Sequence, residues 1–301
     1  MTRTTEWNPP MSYETFEVAT PDGRLTVGRW GQGEHVVLAA HGVTGTHAQF
    51  HALAEHLGDG HTLVAPDLRG RGGSNAITGP YGMPAHADDL ARVLDQLGVE
   101  QATVLGHSMG GFVAVVTADR HSARVRRLVL VDGGLPPDLG PIASLPIEEA
   151  VAAVIGPSLQ RLRMTFASVE DYFGFWRAHP ALARDWSDYV ERYLSYDLVG
   201  EPPALRSGVR EEAVFADTDG DLRGGEVERA LANLRQPATF VRAPRGVLDQ
   251  EQGLYAEDVV RTWQARLPQL RDVLVPDVNH FTILLSARGA AAVADIVREG
   301  V

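Results

Sequence analysis

A serine enclosed by glycines is the side chain of this sequence best suited to covalent chemistry. Gly106-His107-Ser108-Met109-Gly110 matches the pattern G-x-S-x-G and stands between a predicted strand, Ala102–Leu105, and a predicted helix, Met109–Ala118. In that context the serine occupies a sharp, strained turn, so small residues must stand two positions to either side of it. The turn exposes the hydroxyl at the carboxyl end of a strand, where the helix dipole favours developing negative charge. The pattern therefore predicts Ser108 as a nucleophile.

A serine hydroxyl needs a base to take its proton before it can attack a carbonyl carbon. Three histidines follow Ser108 in the chain: His121, His179 and His280. His121 ends the helix after the serine and His179 lies in a helical stretch, whereas His280 follows the last predicted strand. Since His280 is thereby expected at the same sheet edge as Ser108, it is the predicted base. His107 cannot swing back onto the neighbouring hydroxyl, and we expect it to be a packing residue.

Two residue types are missing from the 301 residues: there is no Cys, and all 27 basic residues are Arg. Their absence excludes a thiol nucleophile, a disulfide framework, a Cys-based zinc site and a Schiff-base lysine. His47 and His51 have a spacing that can bind zinc on a helix, but Ala48 stands where the metalloprotease pattern has its glutamate. No G-x-G-x-x-G is present. We therefore expect neither a metal nor an organic cofactor.

The charge balance and the hydropathy limit the classes of partner that this protein can have. The formal net charge is −12, with 39 acidic residues against 27 basic ones, which argues against a nucleic-acid partner. The first residues, MTRTTEWNPPMSYETF, contain no apolar secretory segment, and no apolar run approaches the roughly 20 residues of a membrane helix. We expect a cytoplasmic protein without membrane contact, either a monomer or a homodimer.

Short apolar runs alternate with helical patterns through the first half of the chain and again at its end. The predicted strands are Tyr13–Val18, Leu25–Trp30, Val36–Ala40, Thr62–Ala65, Ala102–Leu105, Leu128–Val131, Ala238–Val241 and Val273–Val275. The predicted helices of these regions are Ala48–Leu57, Pro84–Leu97, Met109–Ala118, Asp258–Arg266 and Ser286–Val297. The first two strands flank a turn and form an antiparallel hairpin. The remaining alternation predicts an α/β fold, with a mostly parallel sheet covered by helices on both faces.

Residues 135–234 interrupt this alternation, and we call them the helical block. No strand pattern appears in the block, and prolines punctuate its helical stretches. These stretches are Ile147–Ile155, Val169–Ala178, Leu182–Tyr196 and Gly225–Leu234. The pattern indicates a helical insertion into an α/β core.

Four motifs in order along the chain give it a resemblance to the α/β-hydrolase family, in its capped, esterase-like branch. They are His41-Gly42 after the third strand, Asp67–Ser74 (DLRGRGGS) after the fourth, GHSMGG around Ser108, and Asn279-His280-Phe281 after the last strand. The resemblance covers nearly the whole chain. It implies an eight-stranded, mostly parallel sheet with a helical cap inserted after strand 6. The core would comprise residues 1–134 and 235–301, and the cap residues 135–234.

The resemblance also implies an acid that supports His280, since the family's chain order is Ser, then Asp or Glu, then His. Asp249 follows strand Ala238–Val241, which is the family's usual acid position, and we favour it. Asp132 ends strand Leu128–Val131, where some members place the acid, and it stays open as the alternative. The oxyanion hole would use the backbone N–H groups of Val43 and Met109.

A substrate pocket is expected above Ser108, between the core and the cap. The helical block is rich in aromatic residues, and ligand sites favour aromatic walls. We expect His41, Trp176, Trp186 and Tyr189 to lie at this pocket, although packing would account for most aromatic residues of the block.

The resemblance implies a serine hydrolase that cleaves an ester-type bond through an acyl-enzyme on Ser108. A carboxylesterase or lactonase acting on a small apolar ester or lactone is the favoured reading. Hydrolysis of a carbon–carbon bond, a thioesterase and a perhydrolase stay open on the same fold. The alternative from another class is a ligand-binding or lyase member without hydrolytic turnover.

Overall fold

The computed structural model describes residues 12–138, 140–223 and 225–300. They form an eight-stranded sheet in the order β1-β2-β4-β3-β5-β6-β9-β10. Its strands are β1 (Tyr13–Thr20), β2 (Gly23–Trp30), β3 (His35–Ala40), β4 (His61–Pro66), β5 (Ala102–His107), β6 (Val125–Val131), β9 (Ala238–Arg242) and β10 (Leu270–Leu274). β2 pairs antiparallel with β1 and β4, and all other pairs are parallel. The expected α/β-hydrolase sheet is confirmed.

Helices cover both faces of this sheet. The core helices are α1 (His51–Leu57), α2 (Met83–Leu97), α3 (Met109–Arg120), α10 (Glu257–Arg266), α11 (Thr282–Leu285) and α12 (Ala287–Arg298). Side chains alternate between the faces along a strand, so both Val104 and Leu105 of β5 are buried, on opposite sides. Val104 packs with residues of α2 and α3, and Leu105 with residues of α1 and α12. The unbroken apolar runs of the sequence follow from this double burial.

The helical block lies between β6 and β9. It holds α4 (Ile147–Gln160), α5 (Val169–Arg177), α6 (Pro180–Ala183), α7 (Asp188–Asp197), α8 (Glu211–Arg223) and α9 (Glu226–Asn233). Two short strands, β7 (Leu198–Val199) and β8 (Arg206–Ser207), pair antiparallel within it. The sequence pattern shows neither these strands nor α8, and it joins α6 and α7 into one helix.

The last helix of the block packs as part of the core. Val227, Ala230 and Leu231 of α9 belong to the same buried cluster as Val113 of α3. The cap boundary expected at residue 234 therefore does not coincide with the packing, because α9 belongs to the buried cluster of the core. The helical pattern continues through both regions, so periodicity alone cannot locate the change of partner.

No helix among the described residues combines the length and the apolar character that a membrane crossing requires.

Candidate active site

Ser108 stands at a strained turn between β5 and α3. Its backbone has φ 55° and ψ −124°, a conformation that residues with a Cβ rarely adopt. A Cβ on Gly106 would lie 2.0 Å from the carbonyl oxygen of Gly110, and one on Gly110 would lie 2.0 Å from that of Ala40. A Cβ on Gly133 would meet the carbonyl oxygen of Ser108 at 2.0 Å. The two glycines of the motif, and a third outside it, are thus required by backbone packing.

His280 and Asp132 form a buried pair. His280 Nδ1 lies 2.7 Å from Asp132 Oδ2. The other carboxylate oxygen, Asp132 Oδ1, accepts a hydrogen bond from the N–H of Ala243 at 3.1 Å. Asp132 follows β6 directly and has φ 46°, which turns its side chain out of the strand line. A carboxylate bonded to Nδ1 fixes the ring's orientation and leaves Nε2 as the nitrogen that can take a proton.

Asp249, the favoured partner of His280, does not contact its ring. Asp249 Oδ1 accepts a hydrogen bond from the side-chain amide of Asn279 at 2.8 Å and lies 3.3 Å from the guanidinium of Arg245. The expectation is corrected in favour of Asp132. β6 is the direct neighbour of β5 in the sheet, whereas β9 is one strand further away. The long connection from β9 then carries the Asp249 carboxylate to the residue before His280.

Two further side chains fix the loop that carries His280. Burial lowers the pKa of His107 well below its usual value, so its ring is neutral. It donates from Nε2 to the carbonyl oxygen of His280 at 2.9 Å, and its Nδ1 lies 3.3 Å from the Gln49 amide. Asn279 donates to the carbonyl oxygen of Ala181 at 2.9 Å and accepts from the N–H of Phe281 at 3.0 Å. His107 is thus a packing residue with a positioning role.

The loop after β3 lies against Ser108. A Cβ on Gly42 would stand 3.8 Å from Ser108 Oγ, which places Val43 beside the nucleophile. Met109 is the first residue of α3, so its N–H has no acceptor within the helix. The expected oxyanion donors, the N–H groups of Val43 and Met109, therefore belong to segments that both adjoin Ser108.

His41 braces this loop from behind. Its Nδ1 donates to the carbonyl oxygen of Gly42 at 2.8 Å, and its Nε2 accepts from the N–H of Leu68 at 2.9 Å. Burial lowers the pKa of His41 to about 3, which keeps the ring neutral and the two bonds in this direction. His41 is fully buried and lies outside the described walls of the cavities at Ser108. The expectation that it lines the pocket is corrected.

Two buried arginines hold successive carbonyl groups of the same loop. Arg71, from the DLRGRGGS segment, donates to the carbonyl oxygen of Val43 at 3.1 Å, and Arg161 donates to that of Thr44 at 2.8 Å. Arg161 lies just after α4, so one of the two comes from the helical block. The two guanidinium groups thus bind consecutive carbonyl groups of the loop that lies against Ser108.

Each of these arginines has a buried carboxylate partner in the helical block. Arg71 lies 2.6 Å from Asp217 of α8, and Arg161 lies 3.3 Å from Asp197 of α7. Burial alone would raise the pKa of Asp217, but His86 and Arg71 outweigh it and hold that pKa below its usual value. Asp217 is therefore ionised at neutral pH, and the ion pair ties the block to the loop.

Two cavities meet at Ser108. The larger, of about 420 Å³, lies between α3, α4 and α9, and its wall includes Met109 and Val43. The smaller, of about 40 Å³, contains His280 and His107 in its wall. Because Ser108 lines both, a bond attacked by its hydroxyl can have one side in each cavity.

The three aromatic residues expected at the pocket lie elsewhere among the described residues. Trp176 is buried in a cluster formed mostly by residues of the helical block, with the Arg161 guanidinium 5.3 Å from its ring centre. The indole of Trp186 donates to Glu191 at 2.7 Å, and the hydroxyl of Tyr189 donates to Glu55 of α1 at 2.6 Å. The three residues pack the helical block or attach it to α1, so the expectation is corrected.

The pair of histidines with zinc-like spacing is engaged otherwise. His47 Nδ1 lies 2.9 Å from Asp67, and His51 Nδ1 accepts from the indole of Trp30 at 3.0 Å. Within residues 12–138, 140–223 and 225–300, no group of three or more suitable side chains could hold a metal ion.

Comparison with a family model covers most of the chain. The family model described as the α/β hydrolase fold matches residues 35–287. The chain belongs to the α/β-hydrolase family. It is a hydrolase of that fold, and the turn at Ser108, the loop after β3 and His280 all lie within the matched residues.

Relatives of this hydrolase differ in the compounds they are named for. It is 27% identical over 279 residues to a 3-hydroxybutyrate-oligomer hydrolase of Cupriavidus necator, with 85% of this chain and 87% of that protein covered. It is 31% identical over 226 residues to an N-formylmaleamate deformylase of Pseudomonas putida, with 69% and 78% covered. The structure of E-2-(acetamidomethylene)succinate hydrolase superposes with a TM-score of 0.78 at 22% identity, covering 95% of this chain and 100% of that one. The last match shows the fold alone.

The sequence analysis did not predict the roles of several residues that position the site of this α/β hydrolase. Gly133 follows Asp132 at the end of β6, so a glycine pair just after a buried strand was an available signal. Asn279 stands beside His280 and could have been noted as a polar residue able to fix the loop. No sequence pattern indicates a positioning role for Arg161, because an arginine in the helical block is ordinarily expected to be solvated.

Proposed function

We propose that this chain is a serine hydrolase that cleaves an ester-type bond through an acyl-enzyme on Ser108. The observation that carries the proposal is the 2.7 Å contact between His280 Nδ1 and Asp132 Oδ2 beside the strained serine turn. Asp132 takes the acid's role in this proposal. Ser108 and His280 line the same small cavity, so nucleophile and base face one space.

The proposed reaction starts with proton transfer from Ser108 Oγ to His280 Nε2 as the oxygen attacks the carbonyl carbon. The negative charge on the tetrahedral oxygen is stabilised by the N–H groups of Val43 and Met109, each contributing about 10²–10³ in rate. Asp132 stabilises the imidazolium that forms. His280 then donates its proton to the leaving oxygen, and a water molecule activated by the same ring releases the acid.

We assign the two sides of the scissile bond to the two cavities. His280 must protonate the leaving group, so the leaving group occupies the cavity of about 40 Å³ that contains His280. The acyl group then extends into the cavity of about 420 Å³. We therefore propose a carboxylesterase whose substrate has a compact alcohol side. The substrate is either an open-chain ester or a lactone, in which the alcohol and acyl sides are joined. The deformylase relative favours cleavage of an N-formyl amide as the second candidate.

Fluorophosphonate labelling tests the nucleophile. The chain contains no Cys and no Lys, so thiol and lysine-amine reactions cannot produce a false signal. We expect rapid labelling of the wild type, none of Ser108→Ala, and unchanged labelling of Ser122→Ala, which lies beyond the other end of α3. Labelling or ester hydrolysis that persists in Ser108→Ala would overturn the proposal.

Initial rates on methyl esters, R–CO–OCH3, and on N-formyl amides, R–NH–CHO, that carry the same apolar group R decide between the two bond types. A higher kcat/KM for the esters supports the first candidate, and a higher value for the amides supports the second.

A further inference from the structure

The larger cavity at Ser108 has an apolar wall built by three helices and the segment after β9. Its side chains include Phe112 of α3, Val151 and Val154 of α4, Val227 of α9, Leu254 and Tyr255. The hydroxyl of Tyr255 donates to the carbonyl oxygen of Leu135 at 2.8 Å, and the hydroxyl of Thr218 donates to that of Val214 at 2.8 Å. The wall therefore presents hydrocarbon, and these two hydroxyl protons are directed into backbone groups.

The charged side chains described in the wall of this cavity are all acidic. Among the described residues of its wall there is no Arg and no His, and the whole sequence contains no Lys. Asp138 and Glu228 also line the cavity and are exposed, so they stand at its opening. Asp132 lies at the inner end, where its oxygens are bonded to His280 and to Ala243. The formal net charge of −12 adds a long-range field of the same sign.

From these observations we propose that the acyl cavity accepts neutral or positively charged apolar groups and excludes groups that end in a carboxylate. This inference rests on the proposed function, because it concerns the acyl side of the same bond. A carboxylate moved into an apolar wall loses its hydration and finds no cation among the described residues of that wall. We expect this to weaken binding by about 100-fold or more. If it stays at the opening, it meets Asp138 and Glu228 instead. A cationic end group meets the same two carboxylates favourably.

Labelling kinetics with three fluorophosphonates test the inference. Each probe carries a small ethoxy group and a hexyl chain, which ends in a methyl, a trimethylammonium or a carboxylate group. We expect the second-order labelling constant of the carboxylate probe to be about 100-fold below that of the methyl probe. The trimethylammonium probe should label within about tenfold of the methyl probe or faster, because exposed opposite charges attract weakly. Equal constants for the carboxylate and methyl probes would overturn the inference.

A charge-reversing variant with a matched control locates the cause. Glu228→Arg should raise the ratio of carboxylate to methyl labelling about tenfold, since it replaces a repulsive charge at the opening by an attractive one. Glu226→Arg changes the charge of the same helix, α9, by the same amount outside the described cavity wall, and should leave the ratio within about twofold. Equal increases in both variants would refute a local origin. Failure of all three probes to label Ser108 would instead refute the proposed function itself.

Discussion

Replacement of each candidate acid by asparagine separates a residue that acts on the His280 ring from one that acts on its loop. Asp132 has φ 46° and Asp249 has φ 61°, and asparagine tolerates this left-handed region, so neither change strains the backbone. At position 132 the two oxygens accept from different donors, the His280 ring at 2.7 Å and the Ala243 N–H at 3.1 Å. An asparagine offers only one acceptor oxygen. If that oxygen stays with Ala243, the amide NH2 faces Nδ1 and selects the tautomer whose Nε2 carries a proton.

The wrong tautomer cannot accept the proton of Ser108. We therefore expect Asp132→Asn to lower kcat/KM by about 10⁴, the loss known for this change in a serine-protease triad. Asp249→Asn keeps an acceptor for the Asn279 amide, and its side chain is 24% exposed, so we expect a loss of about tenfold or less.

The assay for this pair is kcat/KM on a neutral methyl ester, combined with fluorophosphonate labelling and thermal denaturation to confirm the fold. A loss in Asp249→Asn as large as that in Asp132→Asn would refute the reasoning. So would an Asp132→Asn enzyme that keeps more than about a tenth of the activity.

Three further predictions concern stability. Gly110→Ala should destabilise the fold by about 3 kcal/mol, because its Cβ would meet a carbonyl oxygen at 2.0 Å. Gly174→Ala, at an exposed position of α5 with open space around it, should stabilise the fold by about 1 kcal/mol, and urea denaturation measures both. Arg161→Met should cost about 3–5 kcal/mol because it leaves a buried carboxylate unpaired, and the same change at the exposed Arg163 should have no measurable effect; equal midpoints would contradict this. Burial lowers the pKa of His41 from 6.5 to about 3, so the stability that depends on its neutral ring is complete above pH 6.5 and is lost as the pH falls through 3. Between these values the free energy of unfolding should rise with pH by up to ~1.4 kcal/mol per pH unit. A free energy of unfolding that does not change over this range would contradict the prediction.

The turn at Ser108 could be predicted from the sequence because most of the constraints on its backbone are local. A strand, a turn of glycines and a helix lie within a few positions of Ser108, and Gly106 is required by its contact with Gly110 of the same turn. His280 was predictable as well, since a residue after the last strand of a parallel sheet must come to the edge where the other strands end.

The acid was ambiguous because it depends on where two long connections point. Asp132 and Asp249 both follow strands whose carboxyl ends face the site. The sequence does not show that the connection after β9 carries Asp249 to Asn279 instead of to the His280 ring. The expectations for Trp176, Trp186 and Tyr189 were wrong for a related reason. A helical spacing identifies an apolar face, but it does not show whether that face packs within the helical block or lines a cavity.

The helical block holds the loop after β3 as well as lining the larger cavity at Ser108. Arg161 binds the carbonyl oxygen of Thr44, and Arg71 binds that of Val43 while paired with Asp217 of α8. The loop after β3 is therefore held by one guanidinium from the block and by another whose partner belongs to the block. Because removal of one partner of a buried ion pair is strongly destabilising, we expect displacement of α7 or α8 to weaken the hold on these carbonyl groups. We therefore expect the geometry of the proposed N–H donors, Val43 and Met109, to depend on the position of the helical block.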